Sequence, residues 1–262
     1  MRAMSADYTQ RPSSARIYDA LLGGSHNFAA DRDAARKLLA AIPYAAEMAR
    51  VNRAFLARAV QHMVDAGVRQ FLDVGSGIPT AGNVHEVAQA AAPDARVVYV
   101  DIDPVAVEHS REILAENPLA TVVQADIRFA DDLLARPELR DLLDFSQPVG
   151  LLMLSMLHFV PDDEAFPAVD RLRGSLAPGS FIAISHGVID TPADASTGEV
   201  SSIYARSDVP TAAGRPRAGI QRFFGAATME PPGLVWLHEW PTPPADAERP
   251  EHMAVLAGVG RL

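Results

Sequence analysis

Phe71-Leu72-Asp73-Val74-Gly75-Ser76-Gly77-Ile78-Pro79-Thr80 is the stretch on which the reading of this chain turns. A short apolar run, the form of a buried strand, ends in an acidic residue and two glycines, and residues 83–92 after it carry a helical pattern. Strand, glycine turn and helix in that order is how a parallel α/β sheet offers backbone N–H groups and a helix N-terminus to a nucleotide-like ligand. Thr80 stands where a dinucleotide-binding G-x-G-x-x-G has its third glycine, so the turn alone does not choose the ligand.

Downstream of the turn, strands and helices alternate. Residues 70–74, 97–100, 121–124, 149–154 and 181–185 read as strands one to five. Asn83 with Glu86 has the form of a capping box, Asp103-Pro104 is a cap followed by proline, and Pro161-Asp162-Asp163-Glu164 opens a helix expected to run to Pro178-Gly179. Apolar strands linked by helices imply a parallel sheet buried between helix layers. Farther on, a helix is expected near 199–206, another over 218–224, and strands six and seven over 234–240 and 253–259 as an antiparallel pair around the proline-rich 241–250.

Upstream, residues 1–11 form a loose tail, and three helices follow within 12–67. The first runs from Pro12-Ser13-Ser14 to Gly23-Gly24. The second covers 27–42, with Asp31 and Asp33 where the helix dipole favours acids, and the third covers 45–66 with Val51, Phe55, Leu56, Ala59, Val60 and Met63 on one face. The expected organisation is one domain over 1–262: a helical cap at 12–67 and an α/β core at 68–262, with an acceptor-side insertion at 190–225.

Composition narrows the function. A formal charge of −10 works against a protein that tracks nucleic-acid phosphates, which needs a basic face. With no cysteine, disulfides, thiolate metal sites and cysteine nucleophiles are excluded, and no histidine pair has metal-ligand spacing; no metal is expected. The N-terminus lacks an apolar signal core, and the longest nearly apolar run, 149–160, is shorter than the ~20 residues that span a bilayer. A soluble, cytoplasmic protein, monomeric or homodimeric, is expected.

In an open parallel sheet the ligand lies beyond the carboxyl ends of the strands. There the chain places Gly75-Ser76-Gly77, then Asp101-Ile102-Asp103, Ala125-Asp126-Ile127, Ser155 to His158, and His186-Gly187. Asp101 is spaced from the glycine turn as a ribose-binding carboxylate would be, and Asp126 is suited to an exocyclic amine; either could instead serve only to end a strand or cap a helix. His158 and His186 follow strands on the ligand face and are the candidate general bases, although a histidine there is also a common structural hydrogen-bonding group.

Leu72-Asp73-Val74-Gly75-Ser76-Gly77, Val98-Tyr99-Val100-Asp101-Ile102-Asp103 and Ala125-Asp126-Ile127-Arg128 together resemble the successive motifs of class I S-adenosylmethionine-dependent methyltransferases. Pro12-Ser13-Ser14-Ala15-Arg16-Ile17-Tyr18-Asp19, Leu22-Gly23-Gly24, Asn27-Phe28-Ala29-Ala30-Asp31 and Leu157-His158-Phe159-Val160-Pro161-Asp162 resemble, more narrowly, an actinobacterial family of S-adenosyl methyltransferases formerly classed as a domain of unknown function. The resemblance implies a Rossmann-like, doubly wound seven-stranded sheet, mostly parallel with its last strand antiparallel and helices on both faces. It implies S-adenosyl-L-methionine as cofactor and S-adenosyl-L-homocysteine as product; the family does not supply the acceptor, and a small molecule methylated at oxygen or nitrogen is the expectation for this acidic chain. Carried onto this chain, it gives Gly75, Ser76, Gly77 and Asp73 to the amino-acid end of the cofactor, Asp101 and Ile102 to the ribose, Asp126 and Ile127 to the adenine, and Ser155 to the cofactor's edge. Tyr18, Gly24 and Arg53 of the helical cap are expected near its methionine part. A non-catalytic cofactor-binding protein is the alternative, and an NAD-dependent oxidoreductase is disfavoured by Thr80 and Asp126.

Overall fold

The computed structural model describes residues 9–79, 82–189, 202–204, 207, 212–242 and 254–262. Thr80, the tail as far as residue 8, most of the expected 199–206 helix, half of the 190–225 insertion, and nearly all of the proline-rich loop lie outside the described residues.

Three helices come first: α1 (Ser14–Leu21), α2 (Ala29–Ala41) and α3 (Ala45–Asp65). Ser13 caps α1, and the Asp31 side chain turns back to the Phe28 N–H to start α2. Helix α3 is the long one, because Phe55, Leu56, Ala59, Val60, Met63 and Val64 recur at helical spacing and are all buried. Each of the large side chains among them contributes about 1.5–3 kcal/mol on leaving water. Gly67, at φ +96°, ends the segment in a conformation that favours glycine.

The alternating part follows the sequence closely: β1 (Gln70–Val74), α4 (Val84–Ala91), β2 (Arg96–Asp101), α5 (Pro104–Leu114) and β3 (Ala120–Gln124). Short helices α6 (Ala130–Leu134) and α7 (Pro137–Arg140) lead to β4 (Gly150–Leu154), α8 (Asp162–Arg173) and β5 (Phe181–Gly187). The chain closes through α9 (Arg217–Arg222), β6 (Thr228–Met229), β7 (Val235–Trp236) and β8 (Val255–Arg261). The expected caps form: Asn83 and Glu86 make both halves of a capping box, and the Asp103 carboxylate accepts the Val105 N–H at 2.9 Å.

The strands make one sheet in the order β3-β2-β1-β4-β5-β8-β6, with β7 also on β8. Strands β1 to β5 pair in parallel, Leu72 lying beside Val98 and Leu151, whereas β8 runs antiparallel to β5 with Ala183 opposite Val259. Chain order reverses between β1 and β4, so the ligand crevice of a doubly wound sheet falls at their carboxyl ends. One face of the sheet buries Leu72, Val98, Val123, Leu151 and Ile182 under α8 and the short helices. The other buries Phe71, Val97, Tyr99, Leu152 and Ala183 under α3, α4 and the Phe55–Trp240 pair.

Two expected elements differ. Residues 234–240 do not make one strand: only Val235 and Trp236 pair with β8, because the Glu239 N–H donates to the Trp236 carbonyl at 2.8 Å and turns the chain, sending Trp240 into the core beneath α3. Arg58 holds this turn by donating to the carbonyls of Trp240 and Leu237. The sheet has eight strands among the described residues because Thr228–Met229 adds a short strand to β8 beyond the seven expected. Helix α8 stops at Arg173 rather than near Pro178, since the Ser175 hydroxyl takes the Leu172 carbonyl and competes with the helical ladder.

Candidate functional site

A cavity of about 510 Å³ opens at the carboxyl ends of β1, β2, β4 and β5, roofed by α1, α2 and α3. Tyr18, Arg53, Asp73, Gly75, Ser76, Gly77, Asp101, Ile102, Asp126, Ile127, Ser155 and His158 all line it. Gly24 and His186 do not. A Cβ on Gly24 would overlap the Asp19 carboxylate, whose Oδ2 accepts from the His26 N–H and the Asn27 amide, so this glycine serves the turn between α1 and α2. His186 is buried behind the cavity wall, its Nδ1–H donating to the Gly187 carbonyl and its Nε2 accepting from Arg215, both at 2.7 Å.

The glycine turn is built differently from a phosphate cradle. Gly75 and Ser76 both donate their N–H to the Val100 carbonyl, at 2.8 and 3.1 Å, and Gly77 donates to Asp101 Oδ2 at 2.7 Å. The backbone donors that were expected to face a ligand are thus committed to the end of β2. Gly75 and Gly77 sit at φ +70° and +63°, and a Cβ on Gly75 would lie 2.6 Å from the Met156 Cβ. Beneath the turn Asp73 is buried, and loss of solvation raises its carboxyl to about 7 against the attraction of Arg53, with Asp101 adding a smaller push upward. Arg53 reaches from α3 to the Gly82 carbonyl and, at 2.7 Å, to Asn83 Oδ1.

Asp101 is held from both sides, Oδ2 by Gly77 N–H and Oδ1 by Asp103 N–H at 2.9 Å. A carboxylate oxygen can accept more than one hydrogen bond, and this carboxylate's orientation is already set. Asp126 stands at the mouth, where it caps the turn Ile127–Phe129 and pairs with Arg128, which also faces Glu164 at 3.6 Å.

Opposite the turn runs a buried polar chain. The Tyr18 hydroxyl donates to the Ala49 carbonyl and accepts from Asn52, and Ser185 donates to Asn52 Oδ1 at 2.6 Å. Ser155 leans on the same Ser185, its N–H donating to both the carbonyl and the hydroxyl of that residue at 3.0 Å. Ser155 is the one non-glycine with positive φ among the described residues, at 52°, a conformation that costs roughly 1–2 kcal/mol. Sequence reasoning missed Asn52 and Ser185. The signal for Asn52 was a polar residue on the apolar face of α3, one turn before Phe55.

It also missed the link between cap and sheet. Arg16, 2% exposed, donates to both oxygens of Asp31 near 3.0 Å and to Asp103 Oδ2 at 3.2 Å, and the Ser13 hydroxyl bonds the same Asp103 oxygen. Asp31, expected as a solvated helix-start acid, is fully buried in this cluster.

His158 lies on the turn after β4, whose carbonyls at Leu157 and Val160 accept from Arg215. Burial, then the nearby His186 and Arg215, lower its pKa to about 3, so it is a neutral imidazole at physiological pH. Burial likewise lowers His186 to about 4. Two of the three acids at the start of α8 face arginines, Asp162 pairing with Arg215 at 2.7 Å and Glu164 with Arg128. Among the described residues no cluster of three or more metal-ligating side chains occurs, and no helix is long and apolar enough to cross a membrane.

A doubly wound sheet of this order, with an acid-ended β2 and a glycine turn after β1, is the Rossmann-like fold of S-adenosylmethionine-dependent methyltransferases. The family model described as S-adenosyl methyltransferase matches residues 3–262, and the chain belongs to that family. It is similar over all of its length, and 99% of the other chain, to a candidate methyltransferase from Thermobifida fusca, at 37% identity and a TM-score of 0.91. A DUF574 family protein from Streptomyces avermitilis gives 39% identity and a TM-score of 0.89 over 97% of this chain and 98% of its own. The N-methyltransferase NodS from Bradyrhizobium japonicum, solved with S-adenosyl-L-homocysteine, shares the fold alone, at 12% identity and a TM-score of 0.51 over 82% of this chain and 87% of its own. Among curated proteins none matches the chain.

Proposed function

We propose that this protein transfers the methyl group of S-adenosyl-L-methionine to an oxygen or nitrogen of a small-molecule acceptor. The observation that supports it most is the glycine turn, whose three N–H groups are already bonded within the protein above a buried carboxyl. A pyrophosphate needs free donors and repels a carboxylate; an amino acid's ammonium group suits this surface. When bound, the cofactor supplies a sulfonium methyl that an acceptor lone pair takes as the C–S bond breaks and its electrons stay on sulfur, the acceptor's proton passing to water.

The chain's own residues position and shield. Asp101 takes the ribose hydroxyls, Asp73 the ammonium group and Arg53 the carboxylate of the methionine part, while Ile102, Ile127 and Asp126 flank the adenine. His158 faces the acceptor as a neutral hydrogen-bond acceptor, and a base this weak contributes by orientation more than by proton abstraction. Holding two reactants in line supplies much of the rate in such a transfer.

Calorimetry on the pure protein tests the reading. S-adenosyl-L-homocysteine should bind, and Asp101→Ala should weaken it more than tenfold, since hydrogen bonds to a charged group are worth roughly 1.5–3 kcal/mol. No binding to the unmodified protein overturns the proposal. Transfer of labelled methyl to a metabolite extract then separates an enzyme from a protein that only binds the cofactor.

A further inference from the structure

The charges that line the cavity are unevenly placed. Among the described residues they are Asp73, Asp101, Asp126 and Arg128 at the ends of β1 to β3, Arg53, which reaches from α3 toward the turn after β1, and Glu164 of α8 beside Arg128. The rest of the lining, beneath α1 to α3 and at the ends of β4 and β5, has no formal charge among the described residues. Its body is aliphatic and aromatic, with Leu21, Leu38, Met48, Phe159, Val188 and Tyr204 on the wall.

The polar groups on that wall are mostly committed to one another. Tyr18, Asn52, Ser155 and Ser185 form the hydrogen-bonded chain already described. His158 differs: it lines the cavity and no side-chain hydrogen bond holds its ring among the described residues, its Nδ1 being shut away from the cavity and the imidazole's contact with the cavity left to the rest of the ring. Its ring packs against Phe159 at 4.2 Å and His186 at 5.6 Å between centroids. An imidazole on a largely apolar wall, with no side-chain partner of its own, is a polar contact that a ligand can fill.

We infer that the acceptor is an uncharged, largely apolar molecule bearing one hydroxyl or amine, seated in the uncharged half of the cavity with that group hydrogen-bonded to the His158 imidazole. The inference rests on the methyltransferase reading of the same site. A charged acceptor entering this wall would lose its hydration and meet no counter-ion on it among the described residues, whereas an apolar body loses nothing and its single polar group pairs with the histidine. His158 is then the residue that chooses which atom of the acceptor is presented.

The test is a titration of the full chain saturated with S-adenosyl-L-homocysteine, using 2-naphthol, 2-naphthoate and naphthalene as probes, with 1-decanol and decanoate as a second matched pair. The neutral alcohols should bind at least about tenfold more tightly than their carboxylates, a comparison that needs no variant. His158→Leu should weaken 2-naphthol about fivefold and leave naphthalene unchanged, as loss of one neutral hydrogen bond requires, and His158→Gln should restore most of the difference. Carboxylates binding as well as the alcohols, no binding by either alcohol, or an unchanged naphthol affinity in His158→Leu overturns the inference. Because S-adenosyl-L-homocysteine binding is measured first, any of these with that ligand bound refutes the acceptor class and leaves the cofactor site standing, while failure of that first titration refutes the parent reading.

Discussion

Replacing Asp73 by asparagine isolates the electrostatic cost built into the floor of the glycine turn. Burial raises the carboxyl from the ordinary value of 3.8 to about 7. A tenfold change in proton affinity corresponds to about 1.4 kcal/mol, so ionising this group in the folded protein costs of order 4 kcal/mol more than in the unfolded chain. Because the folded value is raised, the stabilising contribution of the protonated acid is complete below about pH 4 and is lost as pH climbs through about 7. Asp73→Asn keeps the shape and does not titrate. Its stability relative to the natural protein should therefore rise from a baseline near pH 4 by up to about 4 kcal/mol near pH 8, most of the change falling between the two pKa values. Urea unfolding at half-unit pH steps reads this difference directly. A difference that stays flat across that window refutes the raised carboxyl. The same group links to the cofactor: if an ammonium group sits on it, the affinity for S-adenosyl-L-homocysteine rises with pH up to about 7 in the natural protein and loses that rise in Asp73→Asn.

Arg16→Leu leaves Asp31 and Asp103 buried without their shared counter-ion, and urea unfolding should show a loss of about 3–5 kcal/mol; a loss under about 1 kcal/mol would mean the cluster is solvated. Gly75→Ala meets both the positive φ and the Met156 side chain, whereas Gly77→Ala meets only the positive φ, its nearest neighbour being 3.9 Å away. Thermal unfolding should rank them accordingly, about 2–5 kcal/mol against about 1–2, and equal costs would refute the packing account.

Which parts of this were legible in the sequence follows from how local their physics is. Strand β1 and the caps at Asn83 and Asp103 were readable because a few neighbouring residues settle them. The site was readable as a set of strand ends, since a parallel sheet brings every carboxyl end to one edge whatever the side chains do. Gly24, expected at the cofactor, lies outside the cavity lining for a related reason: a glycine pair after a helix looks the same whether it makes room for a ligand or for Asp19 across its own turn. Residues 234–240 looked like a strand because alternation cannot report that Glu239 folds the segment back on Trp236.

The less legible features all depend on pairs far apart in the chain. Arg16 and Asp103 are 87 residues apart, and Asn52 and Ser185 are 133 apart. Nothing within a window of sequence distinguishes a buried Asp31 from a solvated one. Yet these pairs join the helical cap to the loops that would hold cofactor and acceptor: Arg16 fixes Asp103, whose N–H orients Asp101, and Asn52 fixes Ser185, which holds Ser155 in its left-handed turn. The cap is therefore part of the site's geometry as well as its roof. The Arg16→Leu variant extends to function on this ground, for a cap that only roofed the cavity would lower stability without changing cofactor affinity. A cap that positions Asp101 should lower S-adenosyl-L-homocysteine affinity as well, by several-fold, under conditions where the variant is still fully folded.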